Sequence, residues 1–453
     1  MRFLYVLFLL LLVGCSQNPK PFVSPPSSTS NEASTETVFL AAMRTIAGDS
    51  YSVTASSSEL SDDDHQKDLY LLNRMGEERA GKLVFLRDEI SIPNGFDLGE
   101  SKVALLGQSP NAKHHIAYVS RNQIKNVDQF ANEVWSLYGV GSNRVVIFVH
   151  GNNVNILEAT KRYAKVQQDY GLASKKIPAV TFIGQSSGIL HGYAYDRESV
   201  RFDRRHLEQL INALTKYKNK KVLLVAHSLG SDFVMETLAR LALKNSSAIK
   251  DKIHGVILIA PDLSIEVFKS QIEDIKKLPR NFAVLTHTRD RALQFSAFLR
   301  SNRNRLGLLG TQSEQDLKDA VELCEKGVTF VNMDDFPKGD LLNHKIPFTS
   351  PEAIEILQSH INNKDFIDNW IYSKAAVDIV TLYNKRGSED ALKSGIDFER
   401  LAQIEKTLHE KDAEKKLSVA DVPSGIVDTY LEQSDSLETS GLCLGSPFTD
   451  VRS

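Results

Sequence analysis

From residue 144 to residue 331 short apolar runs alternate with longer amphipathic segments, and that alternation restricts the chain to a sheet layered with helices. The apolar runs are 144–150, 179–183, 222–226, 255–260, 282–286 and 328–331, and segments with helical spacing cover 157–170, 204–217 and 231–243. Short β-rich runs interleaved with helices predict βαβ units, hence an α/β fold with a mostly parallel, doubly wound sheet and helices on both faces. Strands that are apolar along their whole length are what burial on both faces demands. Upstream, 38–43, 82–92 and 115–120 read as strands joined by polar loops, and 128–138 as a helix. At residue 366 the pattern changes: 366–383 and 398–417 read as helices, and the rest as a loose tail. The expectation is a main domain over 38–365 and a helical, partly loose C-terminal extension over 366–453.

The N-terminal segment stands apart. Met1-Arg2 is a short positive start, and residues 3–13 form an unbroken apolar run of eleven. A membrane-spanning helix needs about 20 apolar residues, so this run reads as the core of a secretory signal peptide. It ends in Leu12-Val13-Gly14-Cys15, which resembles a bacterial lipobox, whose cysteine is lipidated and becomes the new N-terminus. The plainer alternative is a signal peptide that happens to end in cysteine. Acyl chains on Cys15 anchor firmly when there are several, because each buried CH₂ contributes about 0.8 kcal/mol. Ser16 after the cysteine favours the outer membrane, by resemblance to enterobacterial sorting. Residues 16–37, rich in Ser, Pro, Thr and Asn, read as a flexible linker. The expected location is the bacterial envelope, lipid-anchored and facing the periplasm. Only Cys324 and Cys443 then remain, and a disulfide between them is open in an oxidising compartment. Lys plus Arg total 54 against Asp plus Glu 57, a net charge of −3, which supplies no field for nucleic acid.

One turn carries chemistry. The run 222–226 passes directly into His227-Ser228-Leu229-Gly230 and then into a helix whose Phe233, Val234, Leu238 and Leu241 share one side. Strand, sharp turn and helix around a central serine is the context of a nucleophile elbow, in which residues two away on either side must be small; Ala226 and Gly230 meet that demand. The alternative is a serine that merely caps the helix. A serine hydroxyl attacks only when a base takes its proton, and in such a sheet the acid and then the histidine follow the serine in chain order. Beyond the last apolar run lie His344, His360 and His409; His344 sits in the loop Asn343-His344-Lys345, His360 in a predicted helix and His409 in the charged tail, so His344 is the expected base. Asp290 in Arg289-Asp290-Arg291 is the expected acid, with Asp262 in Ala260-Pro261-Asp262 as the alternative and Asp334 and Asp335 as outside candidates. Both Asp290 and Asp262 follow strand C-termini, where sites of open α/β sheets form. The oxyanion needs backbone donors: the N–H of Leu229, at a helix start, and that of Asn152 or else Asn153 in His150-Gly151-Asn152-Asn153. His150 and His227 read as packing or hydrogen-bonding residues. The loop Asp62-Asp63-Asp64-His65 reads as solvated acid rather than a metal site, and no cofactor is expected.

Five segments occur together in one order: Phe148-Val149-His150-Gly151-Asn152-Asn153, Tyr193-Ala194-Tyr195-Asp196-Arg197-Glu198-Ser199, Ala226-His227-Ser228-Leu229-Gly230, Ala260-Pro261-Asp262 and Asp290-Arg291-Ala292-Leu293. In that order they resemble a bacterial α/β-hydrolase family of esterase/lipase type, largely of unknown function, over about residues 38–360. The resemblance implies an α/β-hydrolase fold and a triad of Ser228, Asp290 and His344. It departs in two places: Ile183-Gly184-Gln185-Ser186 replaces the family's Ser-Trp-Pro-Ser, and Asn343-His344-Lys345 replaces Gly-His-Ser. Tyr195-Asp196-Arg197 reads either as a structural ion-pair cluster at a helix start or as a substrate contact. The expected activity is a serine esterase acting on an ester-containing small molecule or lipid. The rivals are a non-catalytic envelope scaffold and an acyltransferase.

Overall fold

The structure is a computed structural model that describes residues 33–46, 52–54, 75–100, 116–138, 142–151, 156–184, 193–279, 281–299, 304–310, 313–334, 336, 342–362 and 444–445. Cys15, the loop 62–65, Asn152, Asn153, Gln185, Asp335, His409 and Cys443 lie outside the described residues. The chain divides into two compact units, Met1–His254 and Gly255–Ser453.

The first unit contains β1 (Ala33–Ile46), β2 (Ser52–Thr54), β3 (Met75–Pro93), β4 (Ala117–Ile124), α1 (Val127–Ser136), β5 (Arg144–Val149), α2 (Ile156–Asp169), β6 (Ala179–Ile183), α3 (Tyr193–Leu214), β7 (Lys221–His227), α4 (Leu229–Lys244) and α5 (Ala248–Lys252). Its strand order is β7-β5-β6-β1-β3-β4-β2. The neighbours from β7 to β1 are parallel, and β5 and β6 are buried at every position. The outer strands β3, β4 and β2 run antiparallel, so this sheet is mixed rather than uniformly parallel. β3 shows why: Arg87 and Glu89 are half-buried between buried neighbours, the alternation of a strand with one solvated side.

β1 starts at Ala33, inside the segment expected to be linker. Pairing with β3, rather than apolar burial, orders these first residues: the Thr37 hydroxyl donates to Glu89 at 2.9 Å, and Ala33 stands opposite Pro93. Aromatic contacts lock helices onto the sheet. Phe148 of β5 stacks on Tyr163 of α2 at 5.2 Å, and Phe182 of β6 meets Phe233 of α4 at 5.1 Å.

The second unit contains the parallel set β8 (Ile253–Ile259), β9 (Asn281–Thr286), β10 (Thr329–Asn332) and β11 (Leu444–Gly445), in that spatial order. Between and after them come α6 (Ile265–Ile275), α7 (Arg291–Leu299), α8 (Glu314–Glu325), α9 (Ile346–Thr349) and α10 (Pro351–Asn362). α6 and α8 are amphipathic and start at side-chain caps, Ser264 and Ser313. Within the C-terminal extension the described residues are those of β11, where Leu444 pairs with Phe330 at the sheet edge; the expected helices at 366–383 and 398–417 lie outside the described residues. Cys324 on α8 is disulfide-bonded. Among the described residues no helix is long and apolar enough to cross a membrane.

Candidate active site

β7 ends at His227 and α4 begins at Leu229, leaving Ser228 alone to turn the chain. Ser228 has φ 55° and ψ −123°, and its side chain makes no capping hydrogen bond to the helix it precedes. A non-glycine residue in this region carries strain of order 1–3 kcal/mol. A serine serving only as a cap would adopt extended backbone and spend its oxygen on the helix N–H groups. Ser228 does neither.

The surroundings impose this bend. A Cβ added to Gly230 would lie 2.5 Å from the carbonyl oxygens of Val149 and His150, so α4 starts in direct contact with the end of β5. A Cβ on Gly151 would lie 2.9 Å from the Ser228 Cβ and 3.1 Å from the His227 carbonyl. The chain leaving β5 therefore crosses the serine at van der Waals distance, which glycine alone permits. His150 is buried, its Nδ1 2.5 Å from the Gly151 carbonyl, and His227 is half-buried. Leu229 opens α4, where backbone N–H groups lack partners inside the helix and the helix dipole favours negative charge. The neighbouring loop residues Asn152 and Asn153 lie outside the described part.

The second unit carries the acid and the imidazole. Asp290 ends the turn after β9 and is fully buried. Its two carboxylate oxygens have separate partners. Oδ1 accepts the Leu293 N–H at 2.9 Å, which caps α7, and Oδ2 lies 2.6 Å from Nδ1 of His344. The imidazole is mostly buried, at 12% side-chain exposure. Backbone bonds hold the two loops together: the Arg291 N–H donates to the Leu342 carbonyl at 2.9 Å, and the Asn343 side chain donates to the Arg289 carbonyl at 3.4 Å. Asn343 has φ 56°, a turn that sends His344 back toward the acid.

The other candidates have different surroundings. Asp262 is buried, accepts the Ser296 hydroxyl at 2.7 Å and lies 3.5 Å from Nε of Arg305, a buried brace beside β8. Asp334 gives both oxygens to Thr288. His360 belongs to α10. Of the Tyr195-Asp196-Arg197 stretch, all three residues lie in α3 and Arg197 is exposed. Among the described residues no group of three His, Cys, Asp or Glu could hold a metal ion. Sequence reasoning missed the capping role of Asp290, whose signal is an Asp three residues before a buried Leu. It also missed the tie between Asp334 and Thr288, which has no local signal.

A serine on a strained strand-to-helix bend, in an α/β fold that also builds a carboxylate–imidazole pair, defines an α/β-hydrolase. The chain belongs to the family described as alpha/beta hydrolase of unknown function (DUF900), whose model matches residues 131–361. No curated protein matches it. Similar solved structures include a dienelactone hydrolase from Anabaena variabilis, 11% identical over 62% of this chain and 92% of that one, with a TM-score of 0.30. Another is XC6422 from Xanthomonas campestris, a serine hydrolase without a lid, 14% identical over 63% and 89% with a TM-score of 0.27. Phospholipase PlaB from Legionella pneumophila is 16% identical over 45% and 42%, with a TM-score of 0.20.

Proposed function

We propose that this protein is a serine esterase that cleaves carboxylic esters, of small molecules or of lipids, through an acyl-enzyme. The observation that carries this reading is the backbone of Ser228, held at positive φ with its hydroxyl not spent on the helix behind it. In the proposed reaction Ser228 Oγ attacks the ester carbonyl carbon while Nε2 of His344 takes its proton. Asp290 fixes the imidazole tautomer and stabilises the imidazolium. The N–H groups of Leu229 and Asn152 hold the oxyanion. The C–O bond breaks, His344 returns the proton to the departing alcohol, and a water deprotonated by His344 then releases the acid and restores Ser228. These steps use side chains, backbone and water and call for no cofactor.

The reading includes a location: lipidation at Cys15 and an outer-membrane position facing the periplasm. The apolar run 3–13 supports export, and the disulfide at Cys324 supports an oxidising compartment. The test is a chain-length series of nitrophenyl acyl esters, with and without an added alcohol acceptor. The esterase reading expects free acid as product and a rate that disappears in Ser228→Ala; an ester product would reassign the enzyme as an acyltransferase, and a rate that survives the substitution overturns the reading.

A further inference from the structure

The acid turn is tied down from behind by a second carboxylate. Asp334 follows β10, and its own N–H donates to the Asn332 side chain at 2.9 Å. Its Oδ1 accepts the Thr288 N–H at 2.8 Å and its Oδ2 the Thr288 hydroxyl at 2.6 Å. The Arg289 guanidinium donates to the Asp334 carbonyl at 2.6 Å, and the Met333 N–H donates to the Thr286 carbonyl at 2.8 Å. Every residue between β9 and Asp290 except His287 is thus bonded directly to residues 333–334. His287 is buried and packs inside the same turn, its Nδ1 accepting the Arg289 N–H at 3.0 Å. A nitrogen that accepts an N–H has no proton to offer Asp334, so the 3.3 Å approach of Nδ1 to the Asp334 carboxylate is not an ion pair.

We propose that Asp334 is a positioning residue: by gripping Thr288 it sets the path of residues 288–290 and so the alignment of the Asp290 carboxylate with Nδ1 of His344. This rests on the reading of His344 as the base. Hydrogen bonds to an ionised carboxylate are about twice as strong as neutral ones. Asp334 makes two of them at the point where the chain leaves β9. Bonds between neutral groups add to the hold: the Asp290 N–H donates to the His287 carbonyl at 3.1 Å, the His287 N–H to the Gly307 carbonyl at 2.9 Å, and the Gln294 side chain to the Thr288 carbonyl at 3.2 Å.

The test uses the full chain and reads two signals. One is the rate of inactivation by a fluorophosphonate, split into its maximal rate and its half-saturating concentration. The other is the proton NMR resonance of the His344 Nδ1–H, assigned with His344→Gln. Asp334→Ala is expected to keep the fold by circular dichroism, lower the maximal inactivation rate by about 10–100-fold, the scale of an ångström-level misplacement, leave half-saturation unchanged, and shift or broaden the resonance. Asp334→Asn is expected to recover most of the loss, because the Thr288 hydroxyl can turn to accept from the amide while the amide oxygen keeps the Thr288 N–H. Thr288→Val, which deletes one bond, is expected to fall between wild type and Asp334→Ala, and it carries the test if Asp334→Ala does not fold. Wild-type rate and resonance in folded Asp334→Ala or in Thr288→Val would overturn the proposal. If the wild-type protein does not react with the probe, the esterase reading fails, yet the resonance still decides whether Asp334 aligns the pair.

Discussion

Asp290 and His344 are joined at 2.6 Å between Oδ2 and Nδ1, and the other oxygen of the same carboxylate caps α7 through the Leu293 N–H. One buried side chain therefore serves both the helix and the imidazole. Substitutions separate the two. Asp290→Asn keeps an oxygen for Leu293 but presents an amide to His344 and forces the wrong tautomer. Stability is expected to change little, while, under the proposed mechanism, turnover of a nitrophenyl ester falls by about 10⁴-fold, the scale of the equivalent change in a serine protease triad. Asp290→Ala is expected to lose in addition about 1 kcal/mol of cap stability. Paired urea melts and ester kinetics check both; equal stability of the two variants would contradict the dual role.

Gly230 has room for no side chain. Gly230→Ala places a methyl 2.5 Å from two carbonyl oxygens at the end of β5, and a stability loss near 3 kcal/mol, the upper end for overpacking, is expected in denaturant titration. Wild-type stability in this variant would contradict the close approach of α4 to β5.

The outer strands offer a test of a different kind. Asp88 and Arg121 stand opposite each other on β3 and β4, both buried, with Nε 2.7 Å from Oδ1. Burial pushes the Asp88 carboxyl up, and the Arg121 charge beside it opposes that rise. Arg121→Met alone strands a buried carboxylate and is expected to cost about 3–5 kcal/mol, while the double variant Asp88→Leu/Arg121→Met recovers most of the loss. Additive losses in a double-mutant cycle would contradict the pairing.

Glu36 makes the β1–β3 ribbon sensitive to pH. Burial, and secondarily the Glu89 charge, push its carboxyl up from 4.5 to about 7. The folded ribbon thus binds a proton that the unfolded chain releases. Its contribution is fully present below the unfolded value and is lost as pH rises through about 7. Hydrogen exchange of β1 is expected to quicken, relative to intrinsic rates, between pH 5 and pH 8 in wild type and to stay level in Glu36→Gln. The same quickening in the Gln variant would remove Glu36 as the cause.

What was legible in the sequence was what local pattern determines. β5 and β6 are buried along their whole length and β7 and β9 at all but half-buried end positions, so their largely apolar runs could be read almost to the residue. The bend at Ser228 was legible because strand, small residues and amphipathic helix meet within a few positions. α6, α7 and α8 were not seen: each is short, and its start depends on a side-chain cap rather than a long apolar stripe. The start of β1 was misread as linker because its order comes from β3, more than fifty positions away. Asp290 and His344 could be chosen only from chain order and position after strands. Their contact spans 54 residues and leaves no periodic trace. The hold of Asp334 on Thr288 is hidden for the same reason.

The central claim is that the hydroxyl of Ser228 is an activated nucleophile. The most direct measurement is intact-mass and peptide mapping after treatment of folded protein with a fluorophosphonate. The account predicts one adduct, on the peptide containing Ser228, absent in Ser228→Ala and formed at least about 100-fold more slowly in His344→Ala, within the range for loss of a general base. Folded wild-type protein that takes no adduct, or an adduct that persists in Ser228→Ala, would contradict it.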